Sequence, residues 1–140
     1  MSLLDAKTTD RLRKETGSRG EGIVRVHLEQ EGYEILEQNY SIPNVGEIDI
    51  IAKKGDIIAF VEVKTRGENP LVRPVLAVNK EKQRRICKTA ILFLKREHYH
   101  LQPRFDVAEV ILASQNGALI EKSYQYYKNA FQAPADLRYF

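Results

Sequence analysis

Two short triplets, Glu47-Ile48-Asp49 and Glu62-Val63-Lys64, hold the residues best suited to chemistry. Each lies in an apolar run with the composition of a β-strand, Val45 to Ala52 and Ile57 to Thr65. Lys53-Lys54-Gly55-Asp56 between them favours a tight reversal. Side chains alternate along a strand, so Glu62 and Lys64 share a face, and the same rule puts Glu47 beside Asp49. A hairpin would gather these charges, and carboxylates so gathered repel unless a cation sits among them. A magnesium ion (or manganese) held by carboxylates can activate water, offset the charge developing on a phosphate and stabilise the leaving oxygen, while an ammonium orients the water. The chemistry indicated is metal-dependent phosphodiester hydrolysis. Asp49 and Glu62 are then the metal ligands, with the Val63 carbonyl to complete the site, and Lys64 orients the water. The plainer reading is the solvated face of an amphipathic hairpin, and the triplets alone do not decide between the two.

Glu21 adds weight to the first reading. In helical projection it lies close to the direction of Val24 and Leu28, three and seven residues on. An acid on an inward face is costly without a partner, and a metal site reached through a water would supply one. As a first-turn acid it would also complement a helix dipole.

The elements that must position these groups follow from the rest of the pattern. Residues 1 to 16 are charged and aperiodic and are expected as a mobile arm or frayed helical turn. Gly17 to Glu31 reads as a helix closed by Gly32. Tyr33 to Tyr40 is a short strand, Pro43-Asn44 a turn, and the two motif strands follow. Arg66 to Pro74 is a loop. Asn79 caps a long helix to about His98, whose apolar stripe is Ile86, Cys87, Ala90, Ile91 and Leu94. Phe105 to Leu112 suits a central strand, Asn116-Gly117 a hairpin turn, and Ala118 to Tyr127 a last strand. The long helix is a crossover, so the strands it joins should run parallel. The expected fold is α/β, a mixed sheet flanked by helices, with one domain over 17–131 and an irregular tail over 132–140.

Composition sets the class. At 140 residues, 43% hydrophobic and 29% charged, the chain has the make-up of a single globular domain. The lone Cys87 excludes an intrachain disulfide and sits on the apolar stripe. No apolar run approaches the roughly 18 residues that span a membrane, and the start of the chain has no secretory apolar region, so cytosol is expected. The net charge is only +3, yet the segment from Lys80 to Glu97 carries seven basic residues against two acidic ones, a net +5. Lys82, Arg84, Arg85 and Lys88 could contact nucleic-acid phosphates, or form a solvated helix face. Arg66 is placed near the site, on a phosphate or a motif acid. Asp106 reads as a paired structural acid. His27, His98 and His100 share no metal spacing, and Tyr124, Tyr126 and Tyr127 suit sheet packing or a dimer contact better than base stacking.

The strings Gly17-Ser18-Arg19-Gly20-Glu21, Gly32-Tyr33-Glu34-Ile35-Leu36, Asn39-Tyr40, Gly46-Glu47-Ile48-Asp49-Ile50-Ile51-Ala52 and Phe60-Val61-Glu62-Val63-Lys64-Thr65-Arg66 resemble the YraN-type family. Ala77-Val78, Lys82, Arg85-Ile86, Arg104-Phe105-Asp106-Val107 and Asn129-Ala130-Phe131 continue the match over about residues 17 to 131. Val24 and Arg73 stand where that family usually has an alanine and a glycine. The family is similar to archaeal Holliday junction resolvases and belongs to the restriction-endonuclease-like PD-(D/E)xK nucleases. The resemblance implies an αβββαβ core, with Glu21, Asp49 and Glu62 as acidic metal-site residues and Lys64 as catalytic lysine. A magnesium-dependent DNA endonuclease, acting on branched or structured DNA in repair or recombination, is the leading expectation. A non-cleaving nucleic-acid-binding module of the same fold is the alternative, and a structural partner in a larger complex is a third. A two-fold dimer would suit a four-way junction, whose two cuts are related by symmetry.

Overall fold

Three features of the backbone bound the first helix and the motif hairpin. Helix α1 (Leu3–Gln30) stops at Gly32, whose φ of 92° only glycine adopts readily. Strand β1 (Glu34–Ile42) turns through Asn44, at φ 64°, into β2 (Gly46–Lys54). Gly55 and Asp56 then reverse the chain into β3 (Ile57–Gly67), with Gly55 at φ 58°. The structure is a computed structural model that describes residues 3–68 and 78–137, with side chains from Lys14 onward. The expected break between an arm over 1–16 and a helix from 17 is absent. Helical backbone is continuous from Leu3, because Leu3, Leu4, Ala6, Lys7, Arg11, Leu12, Arg13, Lys14 and Glu15 are good helix formers and no proline interrupts them. Most of the loop expected over Arg66 to Pro74, Arg73 included, lies outside the described residues, as does the end of the tail after Leu137.

Helix α2 (Lys80–Arg96) starts where expected: Asn79 is its cap, its side chain accepting the Lys82 N–H at 2.8 Å. It leads to β4 (Gln102–Gln115), which pairs with β3 in parallel as the crossover requires. Asn116 and Gly117, both at positive φ, close the hairpin to β5 (Ala118–Phe131). That strand runs past Tyr127 because it resumes pairing, Phe131 with Phe105, after Asn129 at φ 54°. A short helical turn (Ala135–Leu137) follows where an irregular tail was expected.

The result is a mixed five-stranded sheet in the order β1-β2-β3-β4-β5, flanked by two helices. This α/β arrangement is consistent with a restriction-endonuclease-like core. One apolar layer gathers Ile48, Ile51, Ile58, Phe60, Phe105 and Val107 against Ile86, Cys87, Ala90 and Phe93 of α2. The other gathers Ile50, Ala52, Ala59, Val61, Ala108, Val110 and Leu112 against Val24 and Leu28 of α1. Two glycines let the helices come close. A Cβ on Gly20 would lie 1.9 Å from Thr65 Oγ1 on β3, and one on Gly46 would lie 3.0 Å from the Arg85 carbonyl oxygen of α2. No helix among the described residues is long and apolar enough to cross a membrane.

Asp106 is fully buried and paired, as its sequence context indicates. It accepts from Arg104 Nη2 at 2.8 Å, from Tyr126 Oη at 2.5 Å and from the Asn129 N–H at 2.8 Å. Arg104 also donates to Tyr33 Oη at 2.5 Å. This network pins β4 to β5 on the α1 side of the sheet, one register position from Glu62 but on the opposite face.

Candidate active site

The motif acids meet where β2 and β3 part. Their antiparallel pairing runs from Lys54↔Ile57 to Ile50↔Val61 and goes no further. Asp49 and Glu62 are therefore the first residues of the fork. At the same point β2 loses its alternation: Ile48 packs on the α2 side, but Ile50, two residues on, packs on the α1 side. A regular strand would put both on one face, so the strand rotates at Asp49. Across from it on β1, Asn39 sits at φ 52° between the pairs Gln38↔Ile50 and Tyr40↔Ile48. The rotation turns the Asp49 side chain into the gap, where its Oδ2 accepts the Val63 N–H at 2.8 Å. A carboxylate thus takes the place of the strand carbonyl that the fork has withdrawn. The expectation that Glu47 and Asp49 share a face fails for the same reason. Glu47 is exposed and opens onto a neighbouring groove with Asn79, Lys82 and Arg85.

Strand β3 keeps its alternation. Phe60 faces α2, so Glu62, Lys64 and Arg66 follow on that face, while Thr65 points back at Gly20 of α1. Glu62 is buried, and its Oε1 meets two lysines: Lys64 Nζ at 3.9 Å and Lys82 Nζ in a closer ion pair. Glu21 reaches the cluster from α1, with Asn39 as side-chain hydrogen-bond partner. Glu21, Asp49, Glu62, Lys64, Arg66 and Lys82 all line one open cleft of about 570 Å³.

The electrostatics follow from crowding. Burial pushes the Asp49 carboxyl up to about 7, and the Glu62 charge adds to the push; the Val63 N–H opposes it. Burial also raises Glu21, partly countered by the Asn39 hydrogen bond, with Glu47 and Glu62 raising it further. Burial and neighbouring Lys82 lower the Lys64 ammonium. For Lys82 burial works against the charge, but the bond to Glu62 outweighs it and the net shift is upward. Hard carboxylate oxygens of this kind suit Mg²⁺ or Mn²⁺. Among the described residues no three His, Cys, Asp or Glu side chains converge tightly enough to cage an ion. Mg²⁺ is commonly held by one or two carboxylates with its waters retained, so Asp49 and Glu62 fit it, and Glu21 would act through a water.

The basic residues of α2 divide. Lys82 and Arg85 border the groove beside the β1–β2 turn, and Arg85 pairs with Glu81 at 2.9 Å. Arg84 turns the other way and grips Asp136 with two nitrogens, at 2.6 and 3.1 Å, with Lys88 on the same side. The +5 helix therefore does not present a single basic stripe, because its seven basic positions span more than one face of a 3.6-residue turn. Arg66 pairs with Glu109 of β4. Two residues that the sequence pattern undervalues thus belong to the site: Lys82, assigned to phosphate contact, stands among the acids, and Glu109 stands behind Arg66. A signal for Lys82 was present in its position one turn inside the Asn79 cap; none marked Glu109 beyond its charge in an apolar strand.

His27 stacks on Tyr124 with ring centroids 3.8 Å apart and bonds Glu121 at 2.7 Å. His98 and His100 border a separate apolar groove at the far end of α2. Tyr126 is held by Asp106, so these aromatic residues pack on the sheet.

Comparison with known proteins places these residues in a wider set. The model of the uncharacterised protein family UPF0102 matches residues 20–110, from Gly20 beside Glu21 to the middle of β4. A UPF0102 protein of Alkaliphilus metalliredigens is 45% identical over 119 residues, covering 84% of this chain and 98% of that one. A UPF0102 protein of Dictyoglomus turgidum is 42% identical over the same shares, and one of Clostridium tetani 45% identical over 85% of this chain and 95% of its own.

Proposed function

We propose that this chain, which belongs to the UPF0102 family, is a magnesium-dependent DNA endonuclease of the restriction-endonuclease-like PD-(D/E)xK type, acting on branched or structured DNA. One observation carries the reading: Asp49 and Glu62 face each other at the mouth of a strand fork, with Lys64 and Lys82 on Glu62 and Glu21 closing from the helix. Asp49 and Glu62 would hold the ion. When bound, magnesium supplies Lewis-acid polarisation of the scissile phosphate and acidifies water. Lys64, whose proton is loosened by burial, orients the attacking water and takes part in its deprotonation. Lys82 and Arg66 offset charge on the phosphate from either side of the cleft. Asp49 keeps its geometry through the Val63 N–H, so the site is preorganised by the main chain. Arg85, which borders the adjoining groove, supplies sequence-independent attraction for the backbone.

The test is purified protein with Mg²⁺ on junction, flap, single-stranded and duplex DNA. Wild type should cleave at least one, and folded Asp49→Ala and Lys64→Ala variants should lose at least about 100-fold in rate. Identical behaviour of all three proteins on every substrate rejects the reading. A second reading, a non-cleaving nucleic-acid-binding module, draws on the Lys82–Glu62 pair, which already supplies one cation to the acids. Calorimetry separates them: the module has no use for Mg²⁺ and should bind none at Asp49 and Glu62.

A further inference from the structure

Glu109 is a buried charge for which the fold alone gives no reason. It lies mid-strand in β4 between Ala108 and Val110, both fully buried, and is itself only 5% exposed. Its neighbours Phe105 and Val107 face α2, so by alternation Glu109 faces the same way as Glu62, Lys64 and Arg66. Its partner across the parallel register is Lys64. Glu109 Oε1 lies 3.3 Å from both Nε and Nη2 of Arg66. Arg66 is one of the cationic side chains lining the cleft, with Lys64 and Lys82. A carboxylate is costly to bury unless paired, and here it is spent on one guanidinium at the edge of the acid cluster. Because two nitrogens on one edge of the guanidinium meet one oxygen, the plane of Arg66 is fixed and its long stem is ordered before any ligand arrives. A lysine at the same place would be a point charge free to swing.

We propose that Glu109 is a positioning residue: it orients Arg66 as the clamp for a backbone phosphate of the nucleic acid in the cleft. This rests on the nuclease reading for the ligand class, but not on cleavage itself. The inference makes a prediction opposite in sign to plain electrostatics. Removing an acid near a polyanion should tighten binding through the lost repulsion. Removing a positioning acid should weaken it.

The experiment is equilibrium binding of a four-way DNA junction and of duplex DNA in Ca²⁺, over a series of salt concentrations. Wild type, Glu109→Gln, Glu109→Asp, Arg66→Ala and the Glu109→Gln/Arg66→Ala pair are compared, each checked for folding by urea denaturation. Glu109→Gln should weaken binding about 3- to 10-fold and lower the salt slope by up to about one, as Arg66→Ala does. In the Arg66→Ala background the same change should add nothing. Glu109→Asp keeps the charge but withdraws the carboxylate by one carbon, so it should also weaken binding, and it serves if Glu109→Gln fails to fold. Unchanged or tighter binding by the Glu109 variants overturns the proposal, and so does equal weakening with and without Arg66. Binding that depends on this pair in a protein that never cuts would overturn the nuclease reading and leave the assignment standing. A protein that cuts, with Glu109 variants unaffected, does the reverse. Absence of any binding at low salt overturns both.

Discussion

Asp49→Asn should make the metal-free protein more stable by an amount that grows from about pH 4 and levels off above about pH 7. Asp49 has an ordinary value of 3.8 in an unfolded chain and about 7 in the folded one, chiefly through burial. The folded state therefore binds a proton that the unfolded state has released between these two values. By linkage, stability falls as pH rises through that window and stays low above it. About 3 pH units at about 1.36 kcal/mol each set a ceiling of about 4 kcal/mol; sharing of the charge with Glu62 brings the expectation to roughly 2 kcal/mol. Asparagine carries no charge at any pH and keeps an oxygen to accept the Val63 N–H. Urea denaturation with chelator at pH 3.5, 5, 6.5 and 8 is the assay. The gap should be smallest at pH 3.5, where Asp49 holds its proton in folded and unfolded chains alike, be partly open at pH 5, and reach its full size in favour of the variant by about pH 7. Adding Mg²⁺ at pH 8 should then stabilise wild type and leave the variant little changed. A gap that is constant with pH, or wild type the more stable at pH 8 in chelator, would refute the account of Asp49 as an uncompensated buried carboxylate.

Three further outcomes follow from contacts described above. Gly20→Ala puts a Cβ 1.9 Å from Thr65 Oγ1, so α1 must move; a loss of about 1–3 kcal/mol by denaturation is expected, with a fall in cleavage because Glu21 moves with the helix, and Thr65→Ala should restore part of both. Asp106→Ala strands Arg104, the Tyr126 hydroxyl and the Asn129 N–H, and should cost about 3–5 kcal/mol in urea midpoint analysis, whereas Asp106→Asn should cost less. Lys82→Met removes the cation that competes with Mg²⁺ for Glu62, so calorimetry should show tighter Mg²⁺ binding, about 3- to 10-fold, alongside slower cleavage; weaker Mg²⁺ binding would argue that the lysine supports the ion instead.

Much of the fold was legible because it rests on local rules. Gly32, Asn79 and Asn116-Gly117 mark their boundaries by backbone chemistry, and the α2 stripe through Ile86, Cys87 and Ala90 marks its buried face. The crossover then dictates the parallel β3–β4 pair. What the pattern missed depends on pieces distant in sequence. Alternation predicts that Glu47 and Asp49 share a face, but the rotation at Asp49 arises from two strands parting and from Asn39 across the sheet. Helical periodicity places Lys82 on α2 without saying which strand end it meets. Glu109 reads as one charge in an apolar strand until Arg66 is seen beside it. The clash that would follow any side chain at Gly20 is equally invisible, because Thr65 lies 45 positions away. Charge counting misled in a simpler way: +5 on one helix is not a surface until its members are assigned to faces, and Arg84 spends its charge on Asp136.

The fork between β2 and β3 leaves the Val63 amide with an acid side chain, rather than a peptide carbonyl, as its acceptor. That single proton is a built-in probe. Its nuclear magnetic resonance shift should follow the ionisation of Asp49 through the neutral range, and its exchange with solvent should quicken when the carboxylate is drawn elsewhere. Titrating Mg²⁺, acid or DNA while watching one backbone resonance would then read the state of the cleft directly, with no label and no substrate turnover.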